Sequence, residues 1–500
     1  MLGARWSSGK DQPRVGTVDQ TGTGADFLQL DTAAAPTSGR ATWLAARIRD
    51  AVSAGTIGLG DLLPPSRQLA GELGWSRGVV VEAYQRLGEQ GLVSARSRGG
   101  TRIALVPAAA AQPPSPPAAP VSSPSPAVGG GDVLDLTPGV PDLSLFPRSA
   151  WLRAEREVLT QLPASTLRYG DPAGDLSLRQ ALVSWLAVQR GLRTTADAVV
   201  IVTGVAQTLA LTAHVLTRAG HSRVAVEDPG SRGARDELAY WGLAPVPVPV
   251  DAQGLRVEVL EQGPARVVVT TPAHQYPTGV AMSPQRRTEL LRWAARTGGL
   301  VVEDDYDAEH RYDRAPTPAL QPSAPESVLH TGSVSKALAP ALRLGWAVVP
   351  EHLREAFVEA KHASDISSPG LAQLTFERLL SSGIYDQHLR RVRRHQRVRR
   401  DVLVAALGAV TAGVPGARVT GVAAGLHLLL ELPGVDDAAL VRALAAEGVV
   451  VDALSRHRVQ EGPGGLVLGY ASLAPHRLHL AAAAIGSALH EAGVRVDGRR

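Results

Sequence analysis

The chain has 500 residues, more than one hydrophobic core sustains, so two or three domains are expected. It contains no cysteine, which excludes disulfides and thiolate metal sites, and its 14 histidines form no His-x-x-x-His pair on a credible helix, so no metal is expected. A formal net charge of +4 is too small to mark a nucleic-acid binder by itself, so any such footprint has to be local.

Residues 1–36 are polar, rich in Gly, Thr and Asp, and lack apolar periodicity, which predicts a disordered leader. They show no basic head followed by an apolar run, and no window of about 18 uncharged apolar residues occurs anywhere, so neither a signal peptide nor a membrane span is supported and a cytoplasmic location is expected.

Residues 37–105 read as three helices and a hairpin. Leu44, Ile48 and Val52 share one helical face; Leu69, Ala70 and Leu73 form a second, stopped by Gly74. Ser76 can cap a third helix on which Val79, Ala83 and Leu87 recur, and Gly91 ends it. Residues 92–95 and 101–105 can then pair across 96–100, which completes a winged helix. In a helix-turn-helix the second helix of the pair meets base edges with its first residues. Here those are Ser76 and Arg77, with Arg67 opening the preceding helix and Arg96, Arg98 and Arg102 on the wing; a small dimerisation module with solvated arginines is the plain alternative.

The wording of the segment adds to this. The run from Ala54 through Leu62-Leu63-Pro64-Pro65-Ser66-Arg67-Gln68-Leu69-Ala70, then Leu73-Gly74-Trp75-Ser76-Arg77, Ala83-Tyr84-Gln85-Arg86-Leu87 and Gly91-Leu92-Val93, closely resembles the GntR family of bacterial regulators. The resemblance implies contacts to a double-stranded DNA operator from Arg67, Ser76 and Arg77, with the hairpin tip at Gly99-Gly100-Thr101 near the minor groove and a partly structural Tyr84.

Residues 106–132 are dominated by Pro, Ala and Ser and predict a semi-rigid spacer. Beyond it, apolar runs at 198–202, 223–226, 244–250, 266–270, 299–303 and 327–331 alternate with helical ones, which predicts an α/β domain with a mainly parallel sheet over residues 133–495. Pro245, Pro247 and Pro249 confine the third run to a sheet edge or an extended loop. From about residue 365 a long helical stretch leads to a smaller unit with strand candidates at 425–431, 449–452 and 466–471; no short internal repeat is evident.

Of the 51 basic residues only Lys10, Lys336 and Lys361 are lysine. A lysine kept in so arginine-rich a chain suggests use of its primary amine, which alone can lose a proton and condense with an aldehyde. That argument leaves Lys336 and Lys361 open. Lys336 follows Thr331-Gly332-Ser333-Val334-Ser335, where hydroxyls could receive a phosphate, and Arg343 lies seven residues on. Upstream, Val301-Val302-Glu303-Asp304-Asp305-Tyr306 reads as a buried strand ending in carboxylates, at the edge where α/β sheets build their sites. Alone, each piece is an ordinary surface lysine, strand-end ion pair or core tyrosine. Together they supply what pyridoxal 5'-phosphate needs: an amine, a carboxylate for the ring nitrogen, a phenol for the ring oxygen and phosphate ligands.

As a set, residues from about 134 to 490 resemble fold-type I aminotransferases, with a large and a small subdomain, and the whole chain looks like the MocR/GabR subfamily of GntR regulators. The resemblance implies that Lys336 binds the cofactor covalently, that Asp304 pairs with its ring nitrogen, and that Tyr306, Ser333 and Arg343 hold its oxygens. It further implies that Val205, Ala206 and Gln207 form a helix start for the phosphate, and that Tyr169 reaches the phosphate of the other subunit in a head-to-tail homodimer. Three departures stand out. Tyr276 occupies the place of an asparagine near the cofactor, with His274 or Gln275 as substitutes; Ser231 stands where an aromatic often stacks; and Val467 stands where an arginine grips the substrate carboxylate. The expected function is therefore a regulator that senses pyridoxal phosphate or an amine or amino-acid adduct as small-molecule effector. The alternative is an active aminotransferase carrying a DNA-binding arm, and residual or half-reaction turnover stays open.

Overall fold

The computed structural model describes residues 34–96, 100–105, 133–312 and 317–491. Residues 1–33 of the leader, Arg98 and Gly99 of the wing and the spacer 106–132 lie outside the described residues. The chain divides into two compact units, Met1–Gly129 and Gly130–Arg500, with the division inside the Pro/Ala/Ser-rich segment.

In the first unit, helices α1 (Arg40–Ser53), α2 (Ser66–Leu73) and α3 (Arg77–Glu89) precede an antiparallel pair, β1 (Val93–Arg96) and β2 (Gly100–Ile103), in which Val93 faces Ile103. Leu44, Ile48 and Val52 of α1, Leu69 and Leu73 of α2, and Ala83 and Leu87 of α3 close one core with Ile103. On α3 the buried position is Val80 rather than Val79, which lies at the core's rim; the face 80, 83, 87 follows the helical period more closely. Gly74 ends α2 in the left-handed conformation, with φ 66°. Leu62 bridges to Arg102, and Leu63 N–H donates to the Thr101 carbonyl at 2.8 Å, which ties the segment before α2 to the wing.

The second unit is built on an eight-stranded sheet in the order β4-β11-β10-β9-β8-β5-β6-β7. Its strands are β4 (Val199–Val202), β5 (Arg223–Asp228), β6 (Ala244–Asp251), β7 (Gly254–Leu255), β8 (Val267–Thr270), β9 (Leu300–Asp304), β10 (Val328–Ser333) and β11 (Gly345–Val348). All are parallel except β7 and β11, each antiparallel to the strands it pairs with. The all-apolar runs are explained by burial on both faces: Val200 and Val202 join a core with Leu209, Leu216 and Phe357, while Val199 and Ile201 join another with Trp185, Leu186 and Phe376. In β6 the three prolines alternate, so they withhold N–H donors from one side only; the other side pairs with β5 over six residues, and β7 covers just the Val250–Asp251 end.

Helices α4 (Arg148–Gln161), α5 (Leu176–Arg190), α6 (Val205–Arg218), α7 (Arg232–Tyr240), α8 (Val257–Gln262), α9 (Pro284–Thr297), α10 (Glu351–Asp365) and α11 (Gly370–Ser381) surround this sheet. The long helical stretch after residue 365 is two helices, α11 and α12 (Ile384–Thr411), because Gly383 adopts φ 71° between them. A smaller antiparallel sheet, β12-β13-β16-β15 (Arg418–Thr420, His427–Leu432, Gly464–Gly469 and Asp452–Ala453), packs with α12, α13 (Asp437–Ala446) and α14 (Pro475–Glu491). The short strand β3 (Leu134–Asp135) pairs with β14 (Val449–Val450), so the first residues of the domain belong spatially to its last part.

One buried ion pair anchors the site end of the sheet. Arg190, the last residue of α5, donates to both oxygens of Asp305 at 2.6 and 2.8 Å, with both side chains almost wholly buried, and also to the Thr317 carbonyl. Arg190→Ala leaves a buried carboxylate without its counter-charge, a loss of about 3–5 kcal/mol. Urea unfolding is expected to show a markedly lower midpoint; an unchanged midpoint would mean the pair adds nothing to stability.

Candidate cofactor site and nucleic-acid interface

On the first unit, Arg67, Ser76 and Arg77 are all exposed, at the starts of α2 and α3. Ser76 occupies the N-cap position, yet its hydroxyl makes no capping bond, so it remains free for another partner. Arg77 Nε lies 3.5 Å from Ser66 Oγ. Tyr84 donates to the Pro64 carbonyl at 2.8 Å and so fixes the turn before α2. On the wing, Gly100 is exposed with φ 73°, a left-handed conformation that favours glycine; Thr101 is half-buried. Arg102 donates to the Gly60 carbonyl.

In the second unit a cavity of about 350 Å³ opens where the large sheet's parallel strands end. Asp304 reaches it from the end of β9, Lys336 from the turn after β10, Val205 and Ala206 from the start of α6, Ser231 from the start of α7, and Tyr276 from the loop after β8; Tyr306 lines it too. His427 and His457 come from the smaller subdomain, and Pro138 and Gly139 from the segment after β3. Periodicity gave no signal for these last four.

The electrostatics set Asp304 apart from its neighbours. Glu303 accepts from the amides of Leu320 and Gln321, Asp305 has Arg190, and Asp307 lies 2.9 Å from His274 Nδ1. Asp304 Oδ1 is buried with no hydrogen-bond partner among the described residues. Burial, reinforced by Asp305, Asp307 and Glu227, pushes its carboxyl up to about 8. Lys336 Nζ donates to the Gly139 carbonyl at 2.7 Å, and burial pulls its amine below the usual lysine range although Asp307 and Asp304 oppose the shift. Burial also raises the Tyr306 phenol, which lies 3.2 Å from His274 Nδ1. These groups fit a planar cationic heterocycle with an aldehyde: an orphan carboxylate, an amine shifted toward its neutral nucleophilic form, and a phenol.

The other sequence-derived residues divide. Ser333 ends β10, and its hydroxyl accepts from the Ser335 amide. Arg343, at φ 48°, places guanidinium nitrogens 3.4 and 3.5 Å from where a β-carbon on Gly204 would lie, beside the start of α6. The side chain of Gln207 is committed elsewhere, accepting from Thr203 N–H at 2.8 Å and donating to Asp365 at 3.0 Å. Its amide donates to the Gly204 carbonyl, so the free amides expected of a helix start are those of Val205 and Ala206. Asp365 in turn holds Lys361, fully buried, at 2.8 Å through both oxygens. That ion pair occupies Lys361 and leaves Lys336 as the lysine facing the cavity.

Tyr169 is 86 % exposed and does not line the cavity of its own chain. Ser231 caps α7 by accepting from the Ala234 amide at 3.2 Å. Gln275 is consumed by Glu227, Pro229 and Tyr276 and does not line the cavity, so of that loop Tyr276 itself faces the space. Val467 is fully buried against Leu429, Leu454 and Tyr276 and offers no charge. His274, Asp307 and His427, distant in sequence, bring ligand-type atoms within 4.8 Å of one another, a grouping that a search for helical histidine pairs cannot find.

The sequence profile described as bacterial regulatory proteins, gntR family, matches residues 41–103, and that described as aminotransferase class I and II matches residues 131–485. The pyridoxine biosynthesis transcriptional regulator PdxR of Corynebacterium glutamicum is 31% identical over 86% of this chain and 92% of its own. The chain belongs to the MocR/GabR-like regulators of the gntR family. A probable rhizopine catabolism regulatory protein, MocR of Rhizobium meliloti, is 30% identical over 86% of this chain and 89% of its own. Among solved structures, the α-aminoadipate aminotransferase LysN of Thermus thermophilus, complexed with N-(5'-phosphopyridoxyl)-L-leucine, is 29% identical with a TM-score of 0.64, over 72% of this chain and 93% of that one. The protein is thus a helix-turn-helix transcriptional regulator with a fold-type I aminotransferase-like domain, a fold that implies pyridoxal phosphate binding. Among the described residues, no helix is long and apolar enough to cross a membrane.

The raised Asp304 carboxyl gives a signed expectation for the cofactor-free protein. In the unfolded chain this group titrates near ~4, and in the folded one near 8, so its contribution is fully present below the unfolded value and is lost as pH rises toward 8. Asp304→Asn removes that dependence. Melting temperatures from pH 5 to 9 should therefore fall less steeply for Asp304→Asn than for wild type; parallel curves would contradict the assignment.

Proposed function

We propose that this regulator holds pyridoxal phosphate on Lys336 and reads its presence, or that of an amine adduct, as the signal that alters operator binding. The observation that carries the reading is the asymmetry of the cavity. Lys336 and Asp304, whose Oδ1 has no hydrogen-bond partner among the described residues, are in place, whereas Val467, at the position of the substrate-carboxylate clamp, is packed among apolar side chains. When bound, the cofactor supplies an electrophilic aldehyde carbon and an electron-accepting ring. Asp304 would keep the ring nitrogen protonated, Tyr306 would hold the ring oxygen, and Ser333, Arg343 and the amides of Val205 and Ala206 would hold the phosphate. Sensing needs only a difference in affinity between two arrangements, so an incomplete substrate site is tolerable. The name of the PdxR relative, a regulator of pyridoxine biosynthesis, supports the cofactor itself as effector.

The same reading includes a head-to-tail homodimer in which Tyr169 of the partner subunit reaches the phosphate. Exposed Leu152, Leu159, Leu167, Tyr169 and Leu176 supply an apolar surface for it within one stretch of chain. On the first unit, Arg67, Ser76 and Arg77 contact the operator from α2 and α3, with Gly100 and Thr101 at the wing. Turnover as an aminotransferase is the competing reading, favoured only by the intact lysine and aspartate.

Two experiments test this. Operator affinity should change on adding pyridoxal phosphate to wild type and not to Lys336→Ala, which should also lack the visible absorbance band of lysine-bound cofactor; identical DNA binding in all four samples would remove the sensor. Arg77→Ala should abolish specific operator binding in a gel shift while leaving the circular dichroism spectrum and melting temperature unchanged; undiminished affinity would remove the recognition-helix assignment.

A further inference from the structure

The longest helix of the cofactor domain carries a charge pattern that the cofactor reading does not use. Between Asp386 and Asp401, α12 contains seven arginines, two histidines and no acid. Four of the arginines have partners. Arg393 donates to the Glu309 carbonyl, Arg399 pairs with Asp142 at 2.6 Å, and Arg397 and Arg400 lie within 4.0 Å of Asp401. Arg390, Arg391 and Arg394 are exposed and, among the described residues, have neither an ion pair nor a hydrogen bond. Asp386, the acid nearest in sequence, is engaged by Trp185 Nε1 and Gln189 Nε2.

Some exposed arginines elsewhere are neutralised, as Arg47 is by Asp50, Arg86 by Glu82 and Arg296 by Glu261, while others, such as Arg218 and Arg266, carry no ion pair among the described residues. What sets these three apart is their clustering. Positions 390 and 394 are one helical turn apart, with 391 beside them, so three guanidinium groups share one side of a straight segment. Gln387, Arg390, Arg393 and Arg394 line a surface hollow of about 480 Å³. Solvated arginines alone would explain each charge singly, but not the absence of any acid over four turns, which leaves like charges side by side at a cost. Such a row matches a ligand with closely spaced anionic groups, and the phosphate backbone of duplex DNA is the polyanion that this chain's other domain already engages.

We propose that the Arg390, Arg391 and Arg394 face of α12 is a second DNA contact, which grips phosphates flanking the operator without reading sequence. Tethering makes this contact effectively intramolecular once the winged helix is bound. The spacer 106–132 has 27 residues, which at about 3.3 Å per residue reach at most about 90 Å, or about 26 base pairs.

The test uses the full-length protein and a duplex that it selects from a random-sequence pool, either trimmed to the winged-helix footprint or extended by about 30 base pairs on each side to exceed that reach. Wild type is expected to bind the extended duplex more tightly, with a steeper dependence of log affinity on log salt. The triple variant Arg390→Ala, Arg391→Ala, Arg394→Ala should lose that gain, and its salt slope on extended DNA should be shallower by about 2 to 3 for each subunit that grips a flank, since each neutralised phosphate contributes about 0.9. The triple lysine variant should keep most of the gain. Equal affinity of wild type for both duplexes, or an alanine variant that matches wild type on extended DNA or weakens equally on the trimmed one, would overturn the proposal. None of these readouts depends on cofactor binding, so the sensor reading stands or falls separately.

Discussion

Burying five carboxylates within seven residues, from Glu303 to Glu309, is the constraint around which the large domain is organised. Each needs a compensating group, and those groups come from distant segments: Arg190 ends α5, His274 sits in the loop after β8, His330 lies on β10, and the Leu320 and Gln321 amides follow the strand. Burial pushes Glu309 up to about 7, so it is only about half ionised near neutrality. With its neighbours satisfied in these ways, Asp304 is left with one oxygen that no described residue answers. A buried orphan acceptor costs stability unless a ligand meets it, so the fold keeps a deficit that a protonated ring nitrogen would relieve.

The same economy explains the two lysines of the domain. Lys361 neutralises Asp365, which steers Gln207 at the start of the helix that would face the phosphate. Lys336 touches one carbonyl, and burial moves it toward the neutral amine. One lysine is structural and the other chemically available, a distinction that depends on the partner each meets in three dimensions.

The departures from an aminotransferase acquire physical explanations as well. Ser231 caps a helix, Gln275 braces Glu227, and Val467 fills an apolar cluster behind Tyr276. Each replacement has a structural role of its own, and the cavity keeps Lys336 and Asp304 in its lining.

Much of this was legible in the sequence. The winged helix follows from helical periodicity with glycine stops, and the large strands from apolar runs that burial on both faces requires; every such run lies on an observed strand, with ends displaced by up to two residues. Strands β3, β7, β11 and β12 escaped notice: β3 and β7 are two residues long and β12 three, and β11, Gly345-Trp346-Ala347-Val348, lacks the valine-rich run that marks the equally short β4 and β8. The sequence by itself also determined the candidate chemistry, since an acid-ended strand and a retained lysine are local facts. Only the tertiary structure decided which lysine is free, that Gln207 is a brace, and that His427, His457 and Gly139 share a cavity with Lys336. The physical reason is that a side chain's availability depends on whether a partner reaches it: Lys361 meets Asp365 one helical turn away, but the partners of Gln207 and Lys336 lie 158 and 197 residues away along the chain.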